Sequence, residues 1–153
     1  MLYTIGYEGA SLDDFVATLQ AAGVQTLADI RERAQSRRKG FSKTALREAL
    51  ASAGIQYVHF RALGDPKEGR DAARSGDWAK FRAVFSTVMK TVEAKTALEE
   101  IGARALQESV CLLCYERDHR TCHRKIVSEA LEARLDVRAT HLGVQRVEAR
   151  RAA

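Results

Sequence analysis

The chain has 153 residues, 46% of them hydrophobic and 29% charged, which suits one globular domain with a real core and excludes a disordered or low-complexity protein. A net charge of +5 and a pI of about 9.3 point to an anionic partner such as nucleic acid, a nucleotide or a phosphorylated metabolite. The start MLYTIGYEGASLDDF lacks a secretory pattern, no apolar run approaches the roughly 18 residues of a membrane span, and three cysteines do not make a disulfide framework, so the expected setting is reducing and cytoplasmic, away from any membrane.

Leu2 to Gly6 is a short apolar strand, followed by a helix that Ser11 begins and Gly23 ends, with Leu12, Phe15, Val16 and Leu19 at helical spacing. Thr26 to Ile30 reads as a second strand, Ser42 to Gly54 as a helix with Ala45, Leu46, Ala49 and Leu50 inward, and Ile55 to Phe60 as a third strand. Residues 61–77 hold the only proline and three glycines and read as a long exposed loop with room for a short helix. Asp77 caps the next helix, whose stripe Trp78, Phe81, Phe85, Val88 and Val92 is a core face; further helix, broken near Gly102, runs to about Glu108. Val110 to Tyr115 is a nearly continuous apolar strand of the kind buried in parallel sheets. A helix from Cys122 to about Leu135 and a last strand over Val137 to Leu142 complete the pattern. Strands alternating with helices predict a single three-layer α/β domain over residues 1–143, with a mostly parallel sheet flanked by helices, and a frayed basic tail over 144–153.

In such a sheet the strand-to-helix connections leave from the carboxyl edge, where α/β folds place their ligands. That edge collects Gly6, Tyr7, Glu8 and Gly9 after the first strand, Asp29, Arg31 and the run Arg37-Arg38-Lys39 after the second, Arg61, Gly64 and Asp65 after the third, and Glu116, Arg117, His119, Cys122, His123 and Arg124 after the strand VCLLCY. A helix start carries partial positive charge, so beginning one with His123, Arg124 and Lys125, and preceding another with Arg37 and Arg38, is unfavourable unless an anion such as phosphate lies between them. A glycine turn at Gly6 and Gly9 lets a ligand approach the backbone, although it matches neither a P-loop nor a dinucleotide fingerprint, and no cofactor is implied.

At the first turn of a helix, beside His123 and Arg124, Cys122 is a candidate nucleophile; the alternative is a small side chain packed at a crowded turn. No metal site is expected: three apart on a strand, Cys111 and Cys114 face opposite sides and read as core cysteines. Glu116 and Asp29, at matching strand ends, serve either as general acid and base or to orient the arginines.

The segments TIGYEG (Thr4 to Gly9), DIR (Asp29 to Arg31), SRRKGFS (Ser36 to Ser42), IQYVHFRALGDPKEGR (Ile55 to Arg70) and LLCYERDHRTCHR (Leu112 to Arg124) together resemble the bacterial domain-of-unknown-function family 488 (DUF488). The resemblance implies a three-layer α/β domain whose marked positions are Asp29, Arg31, Ser36, Gly40, Phe41, Glu116, Cys122, His123 and Arg124. Ala34 stands where the family usually carries proline, which predicts a looser Arg31, and Cys111 lies outside the family pattern. The expected function is an enzyme acting on a nucleotide or nucleic acid, hydrolysing or transferring at a glycosidic or phosphoester bond. Its phosphate would sit at the start of the Cys122 helix on Arg31, Arg124 and backbone N–H groups. Glu116 or Asp29 would supply acid/base chemistry, with Cys122 or His123 completing the set. Two alternatives are a non-catalytic binding module with the same basic rim, and rhodanese-like thiol chemistry at Cys122.

Overall fold

The computed structural model describes residues 1–146. Strands β1 (Leu2–Gly6), β2 (Thr26–Asp29), β3 (Gln56–His59), β4 (Val110–Cys114) and β5 (Thr140–Leu142) form one sheet in the order β3-β2-β4-β1-β5, parallel throughout. The helices are α1 (Leu12–Ala21), α2 (Lys43–Ser52), α3 (Lys67–Ser75), α4 (Trp78–Met89), α5 (Val92–Gln107) and α6 (Arg124–Leu135), with single 3-10 turns at Arg61–Leu63 and His119–Thr121. This is the expected three-layer α/β domain. None of the described helices is long and apolar enough to cross a membrane.

Central strand β4 is buried at every position, as a parallel strand covered on both faces must be. Its alternation divides the core. Cys111 and Leu113 join Phe15 and Leu19 of α1 and Leu46 and Leu50 of α2 on one face. Val110 and Leu112 join Leu98 and Ile101 of α5 and Val127 and Leu131 of α6 on the other. The connections after β1 and β2 therefore leave toward one face and the connection after β4 toward the opposite one. That reversal on both sides of β4 opens a crevice over its carboxyl end. Gly6 pairs with Cys114 and Asp29 with both Leu113 and His59, so the four long strands end within one residue of one another.

Several expected boundaries are corrected. The 61–77 segment contains a full helix, α3, which buries only Gly69 and Ala72 and so has almost no apolar stripe to read. The helical break lies at Lys90 and Thr91, where the Thr91 hydroxyl accepts from Ala94 N–H; α5 runs unbroken through Gly102, a buried position facing Arg134 and Leu135 of α6. Val92 thus opens α5 at 74% exposure and leaves the α4 core stripe. α6 starts at Arg124, and Cys122 instead closes the 3-10 turn before it. The last strand is confined to Thr140–Leu142. Of the expected tail, Val144 packs on the core and Gln145 N–H donates to Thr18, whereas 147–153 lie outside the described residues.

Candidate functional site

β2 ends in Asp29, a wholly buried carboxylate on which the floor of the site is built. Arg31 grips it bidentately, Nε to Oδ1 at 2.9 Å and Nη2 to Oδ2 at 2.7 Å, while the Arg31 backbone N–H and the Tyr57 hydroxyl also donate to it. Arg31 Nη1 donates to Phe41 O at 2.7 Å and to the Tyr7 hydroxyl at 3.2 Å, and the Tyr7 ring stacks on Phe41. Burial, reinforced by the Asp29 charge, pushes the Tyr57 phenol well up and keeps it a donor. Such a pair repays its desolvation only when its polar groups are well engaged, and here each Asp29 oxygen accepts twice while Arg31 donates from all three guanidinium nitrogens. Asp29 therefore orients Arg31 and has no oxygen left for substrate protons. Arg31 is also not loosened by Ala34, because Lys43 N–H donates to Ala34 O and Ser36 N–H to the Ser42 hydroxyl, pinning the loop without proline.

The connection after β4 folds directly over the end of β1. A Cβ on Gly6 would lie 1.8 Å from Glu116 O, so only glycine permits this crossing. Glu8 secures it, its N–H donating to Tyr115 O and its side chain accepting from Arg117 N–H. Beneath the crossing lies Arg124, with no solvent exposure, donating to Thr4 Oγ1 at 2.7 Å, Glu116 O at 2.7 Å, Arg117 O at 3.3 Å and Cys114 Sγ at 3.2 Å. Cys122 is buried with its Sγ 2.8 Å from Cys114 Sγ. Burial pushes the Cys114 thiol far up, and the hydrogen bond to Cys122 adds to that shift. His123 is buried against Phe85 and donates from Nε2 to Ile30 O at 2.7 Å. Burial lowers its pKa, so the ring is neutral with its lone pair on Nδ1.

Above this floor opens a cleft of about 1050 Å³. Of the residues singled out in the sequence, Tyr7, Arg31, Ser36, Arg37, Glu116 and His123 line it; Gly6, Asp29, Cys122 and Arg124 stand behind the wall. Arg124 is thus a strut for the crossing, not a group facing the cleft. Glu8, Arg38 and Asp65, which the sequence places on the same edge, also line it, together with residues that spacing alone did not bring there: Cys114, Arg33, Arg70, Trp78 and Tyr115. Arg38 is held by Ala10 O and Arg70 by Glu32 and Asp65 O, but the guanidinium groups of Arg33 and Arg37 have no partner among the described residues. Trp78 is 38% exposed and Tyr115 47%.

Asp65 is the most unusual carboxyl in the wall. It is 5% exposed, and its Oδ1 has no hydrogen-bond partner. Burial pushes its pKa up to about 7; Arg70 opposes the shift, and the neighbouring Glu116 and Glu32 charges add to it. A Cβ at Gly69 would lie 1.9 Å from that oxygen, so the helix carrying Gly69 must be bare there. The sequence placed Asp65 on this edge but did not show its burial, which comes from α3, a helix with no legible stripe.

The model of the family described as a domain of unknown function, DUF488, matches residues 11–131, well over half of the chain. The chain belongs to the DUF488 family. Neither the curated proteins nor the solved structures contain a match. The matched span of this DUF488 protein carries every residue of the cleft wall except Tyr7 and Glu8.

For a metal ion, the DUF488 site offers one set among the described residues: Cys114, Glu116 and Cys122, whose ligand atoms lie within 4.8 Å of one another. Cys111 is on the other face of β4, as its spacing required. For acid–base chemistry it offers a carboxyl that holds its proton to near neutrality, Asp65, across from the carboxylate Glu116 and the neutral imidazole of His123.

Proposed function

We propose that this DUF488 protein is an enzyme that hydrolyses or transfers at a glycosidic or phosphoester bond of a nucleotide or nucleic acid. The observation that carries this reading is the pairing, in one cleft, of two unpartnered guanidinium groups, Arg33 and Arg37, with two exposed aromatic rings, Trp78 and Tyr115. Guanidinium groups without carboxylate partners bind phosphate, and exposed rings stack on bases whatever their sequence. The phosphate-bearing ligand lies along the Arg33–Arg38 rim rather than on Arg31, which Asp29 grips bidentately, or on Arg124, which is fully buried.

In this reading Asp65 delivers its proton to the leaving group and Glu116 takes one from the attacking water or hydroxyl, with Arg31, fixed by Asp29, holding the floor of the pocket. The three free thiols fit the cytoplasmic setting expected from the sequence.

The chain has a single tryptophan, so its emission reports on the cleft directly. Short single-stranded oligonucleotides and mononucleotides should quench Trp78. Arg33→Ala with Arg37→Ala should weaken oligonucleotide binding at least tenfold and reduce the salt slope by about 1.4, the contribution of two phosphate contacts on a single strand. Unchanged affinity and slope in the double variant would refute the placement. Turnover that survives Asp65→Asn would remove the acid, and binding without any turnover would reduce the protein to a binding module.

A further inference from the structure

Arg124 organises a pair of sulfurs whose spacing the cleft does not explain. Its guanidinium is shut away from water, and its partners among the described residues are a hydroxyl, two carbonyls and a sulfur. A Glu116 carboxylate oxygen lies within 4.8 Å of both neighbouring sulfurs, and the groups directly against the guanidinium are the thiols of Cys114 and Cys122. Their sulfurs lie 2.8 Å apart, inside the van der Waals separation of about 3.6 Å and about 1 Å short of the span two thiolates keep around a shared zinc ion. The sulfur–sulfur hydrogen bond, with Arg124 Nε–H donating to Cys114, holds the two thiols where a bond between them can close. Cys114 also lines the cleft, so a small reactant reaches the pair from there.

We propose that Cys114 and Cys122 are a peroxide-reactive dithiol that closes reversibly to a disulfide in the wall of the cleft, with Arg124 as its positioning residue. One sulfur of the pair attacks the terminal oxygen of a hydroperoxide: an S–O bond forms, the O–O bond breaks, and the leaving alkoxide or hydroxide takes that thiol's proton. The second sulfur then attacks the sulfenic acid; the S–S bond forms, the S–O bond breaks, and hydroxide leaves with the remaining thiol proton as water. In sum, two thiols and one hydroperoxide give a disulfide, an alcohol or water, and one further water. An external dithiol reverses the closure. Cys111, buried on the opposite face of β4, serves as the internal control.

The test treats the reduced full-length protein with one equivalent of hydrogen peroxide and follows thiol content and intact mass. The expected result is a fall from three free thiols to one, a mass lower by the two hydrogens removed, and a tryptic peptide linking Cys114 to Cys122, all restored by dithiothreitol. Cys122→Ser should leave Cys114 as a sulfenic acid trapped by dimedone, and Cys111→Ser should change nothing. Arg124→Lys, which keeps the charge but loses the planar fork, should slow disulfide formation at least tenfold; should that variant not fold, the wild-type protein must still lose the Cys114 and Cys122 thiols together while Cys111 stays reduced. Three thiols that persist under peroxide sufficient to oxidise free cysteine would overturn the proposal. So would stoichiometric zinc in the purified protein that protects Cys114 and Cys122, which would assign them to a metal centre instead.

Discussion

Replacing Asp65 by asparagine tests whether its carboxyl is held protonated in the fold. In the unfolded chain it loses its proton near pH 4; in the folded protein burial delays that loss to about pH 7. Between these values the folded state binds more protons than the unfolded state, so stability falls as pH rises and levels off above the folded pKa. Below about pH 4 both states are protonated and the effect vanishes. At about 1.4 kcal/mol per pH unit the full interval is worth about 4 kcal/mol, and the screening of a carboxyl that faces a water-filled cleft brings this to about 2 kcal/mol. Asparagine does not titrate. The melting temperature of Asp65→Asn relative to wild type should therefore climb between pH 4.5 and 8 by roughly 4–8 °C, at 2–4 °C per kcal/mol for a chain of this size. Taking the difference at each pH cancels the histidines. A difference flat to within about 1 °C across that range would refute the argument, and with it the role of Asp65 as the acid.

Gly6→Ala should cost about 3–5 kcal/mol in urea unfolding. The new methyl sits 1.8 Å from Glu116 O, the carbonyl to which Arg124 donates, so overpacking and the loss of a charged hydrogen bond add together; a cost below about 1 kcal/mol would show that the crossing over β1 is not tight. The rings of His119 and His141 stack at 3.5 Å and 2°. Burial lowers both pKa values, helped by Arg124 at His119 and by His119 at His141, and His141 Nδ1 bonds the same Thr4 hydroxyl that Arg124 uses. For a histidine with a lowered pKa the stability is present above the unfolded pKa and lost as pH falls through the folded one. The melting temperature of His141→Gln should therefore gain on wild type from pH 7 to pH 5, and parallel curves would refute the coupling.

The fold was legible wherever burial imposed a period. The run VCLLCY, the stripe of α1, Leu46 and Leu50 of α2, and the caps Ser11 and Asp77, whose side chains accept from Asp14 and Lys80 N–H, all stand where the pattern put them, whereas Ala45 of the expected α2 face is exposed. It was illegible where a helix buries no side chain to speak of, as in α3, or where glycine serves packing rather than a break, as Gly102 does. Thr91, three residues before Ala94, was the available signal for the true break. At the site, the sequence pattern located the edge and the wall residues Tyr7, Arg31, Ser36, Arg37, Glu116 and His123. It did not show which arginines were already engaged, since that depends on partners remote in the chain: Thr4 meets Arg124 across 120 positions, whereas the anion of Arg31 lies two residues away and was read as an alternative role.

The placement of the buried charges follows one logic. Domains gain stability from apolar contacts, and a buried arginine is a poor substitute for them. This chain nevertheless sinks two, Arg31 and Arg124, under the carboxyl ends of β2 and β4, and crosses backbone over backbone at Gly6, and again at Gly64, where a Cβ would lie 2.3 Å from the Glu32 backbone. Each device fixes a loop of the cleft: Arg31 ties Tyr7 and Phe41 to the end of β2, Arg124 ties residues 116 and 117 to β1, and Arg70 ties Glu32 to Asp65. Together they hold Asp65, Glu116, His123 and Cys114 around one space before any ligand arrives. Folding energy spent on rigidity at the switch point of the sheet, where apolar side chains would have served stability better, is what a preorganised site requires.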